Sequence, residues 1–183
     1  MNRERKLLGV NSYERELGFS PLAFLKRRKG KGGDVAWLDL CCGSGNALLA
    51  MSKQMEGRFV GLDLVETGMS RESNVEFICA PLNSWENTEQ YDLVTCVHGL
   101  HYIGDKLQTI EKALSWLKAE GLFVAHLDLN NLRFSDEKSM SRAISRFFNE
   151  VGLTFKSRKH LLSCEGQKII DFPWSYLGAD DKA

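Results

Sequence analysis

The sequence predicts an α/β domain built on a mostly parallel sheet. Three observations carry that prediction. Short apolar runs of strand character alternate with segments of helical periodicity along the chain. A glycine-rich turn, Cys41-Cys42-Gly43-Ser44-Gly45-Asn46, separates the first such run from a helical segment. An aspartate, Asp63, closes the second run 18 residues after Gly45.

The elements follow in order. Val35 to Leu40 is the first strand, an apolar run interrupted only by Asp39. A helix from about Ser44 to Met55 puts Ala47, Leu48 and Met51 on one face and ends before Gly57. Strands are expected at Phe59 to Leu64, Val75 to Cys79 and Tyr91 to Val97. The next helix runs from about Lys106 to Lys118, with Asp105 as its N-cap and Gly121 just past its end. Leu122 to Asp128 is the fifth strand, and a helix from about Glu137 to Val151 turns Met140, Ile144, Phe147 and Phe148 inward. Two extended segments, Thr154 to Ser163 and Lys168 to Tyr176, form a hairpin around Cys164-Glu165-Gly166-Gln167.

A length of 183 residues suits a single domain, 1–183, with 1–33 as a helical, basic cap and 34–183 as the core. Apolar residues make up 43% and charged residues 26%, which excludes a disordered, collagenous or coiled-coil chain. No run is long enough to span a bilayer, and Met1 to Lys6 is too charged for a signal peptide, so a cytoplasmic location is expected. Five cysteines without a Cys-x-x-Cys pair read as reduced thiols, with no structural zinc.

Lys+Arg and Asp+Glu are both 24, whereas a protein that grips nucleic acid by bulk electrostatics carries excess positive charge. Met1 to Gly33 does hold nine Lys/Arg against three Glu, densest at Lys26-Arg27-Arg28-Lys29-Gly30-Lys31. A solvated linker is the expected role of that run.

The glycine-rich turn is where an α/β domain holds a nucleotide-like ligand. Gly43 and Gly45 let a ligand approach the backbone, and the following helix offers free N–H groups. Asp63 is placed to accept hydrogen bonds from two ribose hydroxyls. A nicotinamide dinucleotide is disfavoured: its third fingerprint glycine is Leu48 here, and Asp39 would face a pyrophosphate. S-adenosylmethionine carries no phosphate, and its cationic amino group suits Asp39.

From about Val35 to Asp128 the chain resembles the class I S-adenosylmethionine-dependent methyltransferases. Val35 to Gly45 is similar to the family's first motif, and Phe59 to Leu64 to its second. The Asp39-Leu40-Cys41-Cys42-Gly43 spelling is similar to the quinone-biosynthesis methyltransferases, with Cys41 where the family usually has glycine. Phe77 to Leu82 matches the third motif, with Pro81 in place of the usual acid, so Leu82 N–H, Asn83 or Ser84 is left to meet the adenine. Tyr91 to Tyr102 resembles the fourth motif, in which Asp92 has a structural task. The resemblance implies a Rossmann-like seven-stranded sheet of order 3-2-1-4-5-7-6, last strand antiparallel, with helices on both faces. It also implies S-adenosylmethionine as cofactor, held by Asp39, Cys41, Gly43, Gly45, Asn46, Asp63, Leu64, Leu82 and Val97.

Methyl transfer is an in-line displacement for which alignment alone supplies about 7–11 kcal/mol, so a base is optional. Among the residues at the strand ends, His98 is the candidate catalytic group; His101 and Tyr102 follow it, and His126 and Asp128 share one face of the fifth strand. Asp128, Asn130 and Asn131 are oxygen donors of the metal-dependent type, but Val97-His98 stands where that type needs an acid, so no metal is expected. The Asn-Pro-Pro-Tyr motif of nucleobase amino methyltransferases is absent there. Tyr13 or Arg15, from the segment that folds over the cofactor, is the type that meets the methionine carboxylate. Leu129 to Asp136 is too short for a large lid.

The expected acceptor is a small molecule. RNA is the alternative, resting on the basic run; a non-catalytic S-adenosylmethionine-binding subunit is another, resting on the missing lid and third-motif acid.

Overall fold

The computed structural model describes residues 5–65, 73–136 and 138–179. The first four residues of the expected cap, Glu137 at the expected start of a helix, and the last four residues of the chain lie outside them. The elements are α1 (Tyr13–Leu17), α2 (Pro21–Lys29), β1 (Ala36–Leu40), α3 (Asn46–Ser52), β2 (Arg58–Asp63), β3 (Val75–Cys79), β4 (Tyr91–Cys96), α4 (Lys106–Ser115), β5 (Leu117–His126), α5 (Ser141–Glu150), β6 (Thr154–Lys156) and β7 (Leu161–Glu165).

The seven strands form one sheet of order β3-β2-β1-β4-β5-β7-β6. β3, β2, β1, β4 and β5 are mutually parallel, and β7 runs antiparallel to both β5 and β6. The order reverses direction at β1 and β4, so their carboxyl ends open a crevice for a ligand.

Side-chain alternation along the central strands sorts the core into two layers. Leu38, Leu40, Leu62 and Val94 pack with Ile110 and Leu114 of α4 and Ile144 and Phe148 of α5. Trp37, Phe59 and Leu93 pack on the other face with Leu25 of α2, Leu48 and Met51 of α3, and Tyr13 and Leu17 of α1. β1 and β4 are buried along their whole length, as parallel strands covered on both faces must be. Asp92 is structural, as its place in the strand suggested. It accepts from Ala36 N (2.8 Å) and Lys118 Nζ (2.7 Å), tying β4 to β1 and β5.

Three expected elements differ. The helix α4 stops at Ser115, and Leu117 already belongs to β5. Trp116 is the reason: it is buried edge-on against Trp85, with centroids 5.0 Å apart, and its carbonyl accepts from Tyr91 N. Gly121 therefore lies inside β5, at an irregularity where a Cβ would meet Tyr91 O at 2.7 Å. The helix α5 begins only at Ser141, because Met140 N is spent on Leu132 O.

The C-terminal hairpin is also shifted. Its turn is Ser157 to His160, and both its strands fall within 154–165. Lys168 to Tyr176 is an irregular segment laid over α4 instead of a strand. Phe172 N donates to Glu111 Oε1 (2.6 Å), and the Phe172 ring is buried beside Phe147 and Phe148.

The basic run lies at the end of α2 and is largely engaged. Arg28 and Lys31 pair with Glu120, and Lys29 with Glu56. An RNA-binding role gains no support from it. No described helix is long and apolar enough to cross a membrane.

Candidate active site

A cleft of about 890 Å³ opens at the carboxyl ends of β1, β2, β3 and β4, within the size range of ligand pockets. Its floor is the turn after β1. Cys41, Gly43 and Gly45 all take left-handed backbone angles there, with φ of 56°, 58° and 65°. This winds the turn tightly enough to bring Cys42 N onto Leu62 O at the end of β2. Cys41 adopts the conformation for which the family's glycine is suited, and the chain accommodates it by omitting a side chain opposite. A Cβ on Gly99 would lie 2.4 Å from Cys41 Cβ and 2.7 Å from Cys96 Sγ.

Asp63 lines the cleft from the end of β2. Its Oδ2 accepts from Gly43 N (2.8 Å) and its Oδ1 from Val65 N (3.2 Å). Those bonds fix the carboxylate and hold the turn against β2. Each oxygen keeps a further lone pair for a ligand hydroxyl. Leu64, Leu82 and Val97 also line the cleft, with Leu82 and Val97 buried and Leu64 exposed. Pro81 and Asn83 flank Leu82 on the wall, and Tyr176 reaches it from the C-terminal segment.

Gly45, Asn46 and Asp39 are not brought to the cleft wall. Gly45 and Asn46 form the start of α3 and are not among the residues that line the cleft. Asp39 is fully buried behind the wall, where its carboxylate accepts from Tyr13 Oη (2.6 Å) and Thr95 Oγ1 (2.6 Å). Burial pushes its pKa up to about 7 against the pull of those two donors. Tyr13 stands between Asp39 and the cleft, and burial together with the Asp39 charge raises the phenol well above its ordinary value.

Of the two N-terminal candidates, Tyr13 lines this cleft and Arg15 lines a neighbouring groove. Sequence reasoning missed Arg5. Arg5 lines the cleft, and its buried Nε has no hydrogen-bond partner among the described residues and stands 4.0 Å from Glu16 Oε1. One arginine in a basic N-terminal stretch gives no signal that separates it from its solvated neighbours.

His98 follows β4 with a left-handed φ of 57° and lines both the cleft and the groove. Its Nε2 donates to Glu16 Oε2 at 2.9 Å, and its ring stacks on His126 with centroids 4.0 Å apart and planes 12° apart. Burial pushes Glu16 up, but the hydrogen bond and charge of His98, with smaller help from His126 and Arg5, hold it below the usual carboxylate range. Burial, then the neighbouring His98, lowers His126 to about 4. Glu16 was also missed, because an acid on a five-residue helix reads as surface until α1 is docked on the strand ends.

Asp128, Asn130 and Asn131 do not converge. Asp128 Oδ1 accepts from Asn130 N (3.0 Å), and the Asn131 amide meets His101 Nδ1 (3.2 Å).

The sheet order and the cleft at its switch point define a Rossmann-like domain with a ligand site over β1 and β4. Residues 11–164 match the model of a methyltransferase-domain family, and the chain belongs to that family, that of the class I S-adenosylmethionine-dependent methyltransferases. It is 31% identical over 111 residues to a demethylmenaquinone methyltransferase of Lactobacillus johnsonii, covering 54% of this chain and 45% of that one. It is 30% identical over 111 residues to a malonyl-[acyl-carrier protein] O-methyltransferase of Acetivibrio thermocellus, covering 55% and 39%. These matches span less than half the length of either relative. A solved plantazolicin methyltransferase, BpumL, in complex with SAH superposes with a TM-score of 0.53 at 18% identity, over 74% of this chain and 65% of that one. That likeness establishes the fold.

Proposed function

We propose that this chain binds S-adenosylmethionine in the cleft and transfers its methyl group to a small-molecule acceptor that enters beside His98. The observation that carries this reading is that one cleft is lined by a ribose-type acid, Asp63, an arginine whose buried Nε makes no hydrogen bond among the described residues, Arg5, and an imidazole, His98. The donor set fits the cofactor end to end. Asp63 accepts from the ribose hydroxyls, Leu82 and Pro81 supply the apolar wall and backbone for the adenine, and Arg5 meets the methionine carboxylate. The Tyr13 hydroxyl, its proton directed at Asp39, offers its oxygen lone pair toward the amino group.

When bound, the cofactor supplies a methyl carbon already activated by the sulfonium. The residues then have to align it and keep water away, and Val97 and Leu82 give the buried apolar surface for that. His98 donates Nε2–H to Glu16, which leaves Nδ1 as the acceptor for a proton leaving an acceptor O–H or N–H. Glu16 orients the imidazole and stabilises the imidazolium that forms.

Thermal-shift titration tests the cofactor. S-adenosylhomocysteine is expected to raise the melting temperature and NAD to leave it unchanged. The reverse pattern defeats the reading. Turnover across a panel of small hydroxyl and amine acceptors then separates an enzyme from a subunit that only binds the cofactor.

A further inference from the structure

We propose that Glu16, His98 and His126 form a binding site for a zinc-class divalent cation beside the acceptor end of the cleft. The three residues come from α1, the end of β4 and the end of β5, and their ligand atoms all lie within 4.8 Å of one another. Two imidazoles and a carboxylate make up a common donor set for zinc and its first-row neighbours.

The spacing suits such an ion. Bonds of about 2.0–2.1 Å in a tetrahedron put neighbouring donors about 3.3 Å apart. Glu16 Oε2 lies 2.9 Å from His98 Nε2 and 3.7 Å from His126 Nε2, on either side of that value. The two imidazoles are stacked, so ligation fans them apart and exchanges the His98–Glu16 hydrogen bond for two metal bonds.

A second observation marks the cluster as more than a packing arrangement. The His126 side chain is 6% exposed, yet its Nε2, the nitrogen turned to Glu16, stands 3.7 Å from Oε2, beyond hydrogen-bond reach of that carboxylate. A buried imidazole ordinarily has its nitrogens satisfied. His98 holds its ring in this position from a left-handed backbone conformation uncommon outside glycine. The groove beside the cluster, about 400 Å³ and open to solvent, provides an entry path and room for a water as fourth ligand. Arg5 Nε lies 4.0 Å from Glu16 Oε1, the carboxylate oxygen not facing the imidazoles, and helps to orient the acid.

The consequence for catalysis rests on the proposed function. A cation on His98 Nε2 makes Nδ1 the protonated nitrogen, so His98 can no longer receive a proton from the acceptor. Cation binding and proton transfer at His98 are therefore exclusive.

Competition between the full chain and a chromogenic chelator for Zn²⁺ tests the site directly, with Co²⁺ as a spectroscopic probe of coordination. One equivalent is expected to bind, with tetrahedral Co²⁺ absorption. Affinity should fall at least tenfold in both Glu16→Gln and His126→Asn, and hold in Cys79→Ser, which removes an exposed thiol outside the cluster. Melting followed by circular dichroism confirms that each variant is folded, and Glu16→Gln serves alone if His126→Asn is not. Absence of stoichiometric binding, or equal binding by the folded variants, overturns the site. Zinc is further expected to suppress methyl transfer and a chelator to restore it. Stoichiometric, Glu16-dependent binding with undiminished transfer supports the site and overturns His98 as the base, so the two readings fail separately.

Discussion

Tyr13 donates its hydroxyl to the Asp39 carboxylate at 2.6 Å, joining a five-residue helix to the central strand of the sheet across 26 positions of sequence. Thr95 on β4 donates to the other oxygen of the same carboxylate. Two neutral donors do not offset complete burial, and the acid stays protonated well above its ordinary range.

That balance sets a pH dependence of stability. The unfolded acid ionises near 4 and the folded one at about 7. Between those values the folded state holds a proton that the unfolded state has released, so stability falls as pH rises through this window and levels off above it. Asp39→Asn removes the titration. Its stability relative to the parent is expected to rise from pH 4 to pH 7, by at most roughly 4 kcal/mol for a shift of about three units. Urea unfolding of both proteins across that range measures it. A constant difference would mean that Asp39 ionises freely in its buried position.

Arg5 is expected to grip the amino-acid end of the cofactor. Loss of a hydrogen bond to a charged group costs about 1.5–3 kcal/mol, so Arg5→Gln should weaken S-adenosylhomocysteine binding by a matching amount. Methylthioadenosine has no carboxylate, and its affinity should hardly change. Calorimetric titration of both ligands distinguishes the two; equal losses would place Arg5 elsewhere.

Asp63→Ala is expected to weaken cofactor affinity by about 1.5–3 kcal/mol, the range for hydrogen bonds to a charged acceptor. The same change frees Gly43 N and Val65 N, whereas Asp63→Asn keeps one acceptor oxygen for one of the two and should lose less. Unchanged affinity for S-adenosylhomocysteine in the alanine variant would remove the ribose role.

What the sequence discloses and what it hides divide along physical lines. The central strands are legible because burial on both faces demands largely apolar runs, as in Tyr91 to Cys96, interrupted only by Asp92 and Thr95. The glycine turn and Asp63 are legible because their spacing is fixed by one strand, one turn, one short helix and one strand. Gly121 and the 168–176 segment mislead, because each reads locally as a helix stop or a strand. Their conformations are decided by distant partners: the Tyr91 carbonyl crowds Gly121, and Glu111 captures Phe172 N. Arg5 and Glu16 are hidden for the same reason. Their roles depend on where α1 docks, and a single charged residue has no periodicity to announce it.

Cys41 offers the sharpest test of the turn. A non-glycine residue in the left-handed region costs roughly 1–2 kcal/mol, and Cys41 sits there at φ 56°. Cys41→Gly relieves that cost but loses sulfur packing and adds unfolded-state entropy, so stability should change by no more than about 1 kcal/mol. Cys41→Val keeps the left-handed strain and adds a branch at Cβ, and it should be markedly less stable than the glycine variant. Gly99→Ala makes the complementary change from the opposite side. Its new methyl would lie 2.4 Å from Cys41 Cβ, so the backbone must shift, at about 1–3 kcal/mol or more. The double variant Gly99→Ala with Cys41→Gly removes the clashing Cβ and Sγ of Cys41 but leaves Cys96 Sγ at 2.7 Å. Partial recovery of stability is therefore expected, measured as a coupling energy in a double-mutant cycle. Strict additivity of the two changes would show that the turn and the β4 end do not restrain each other.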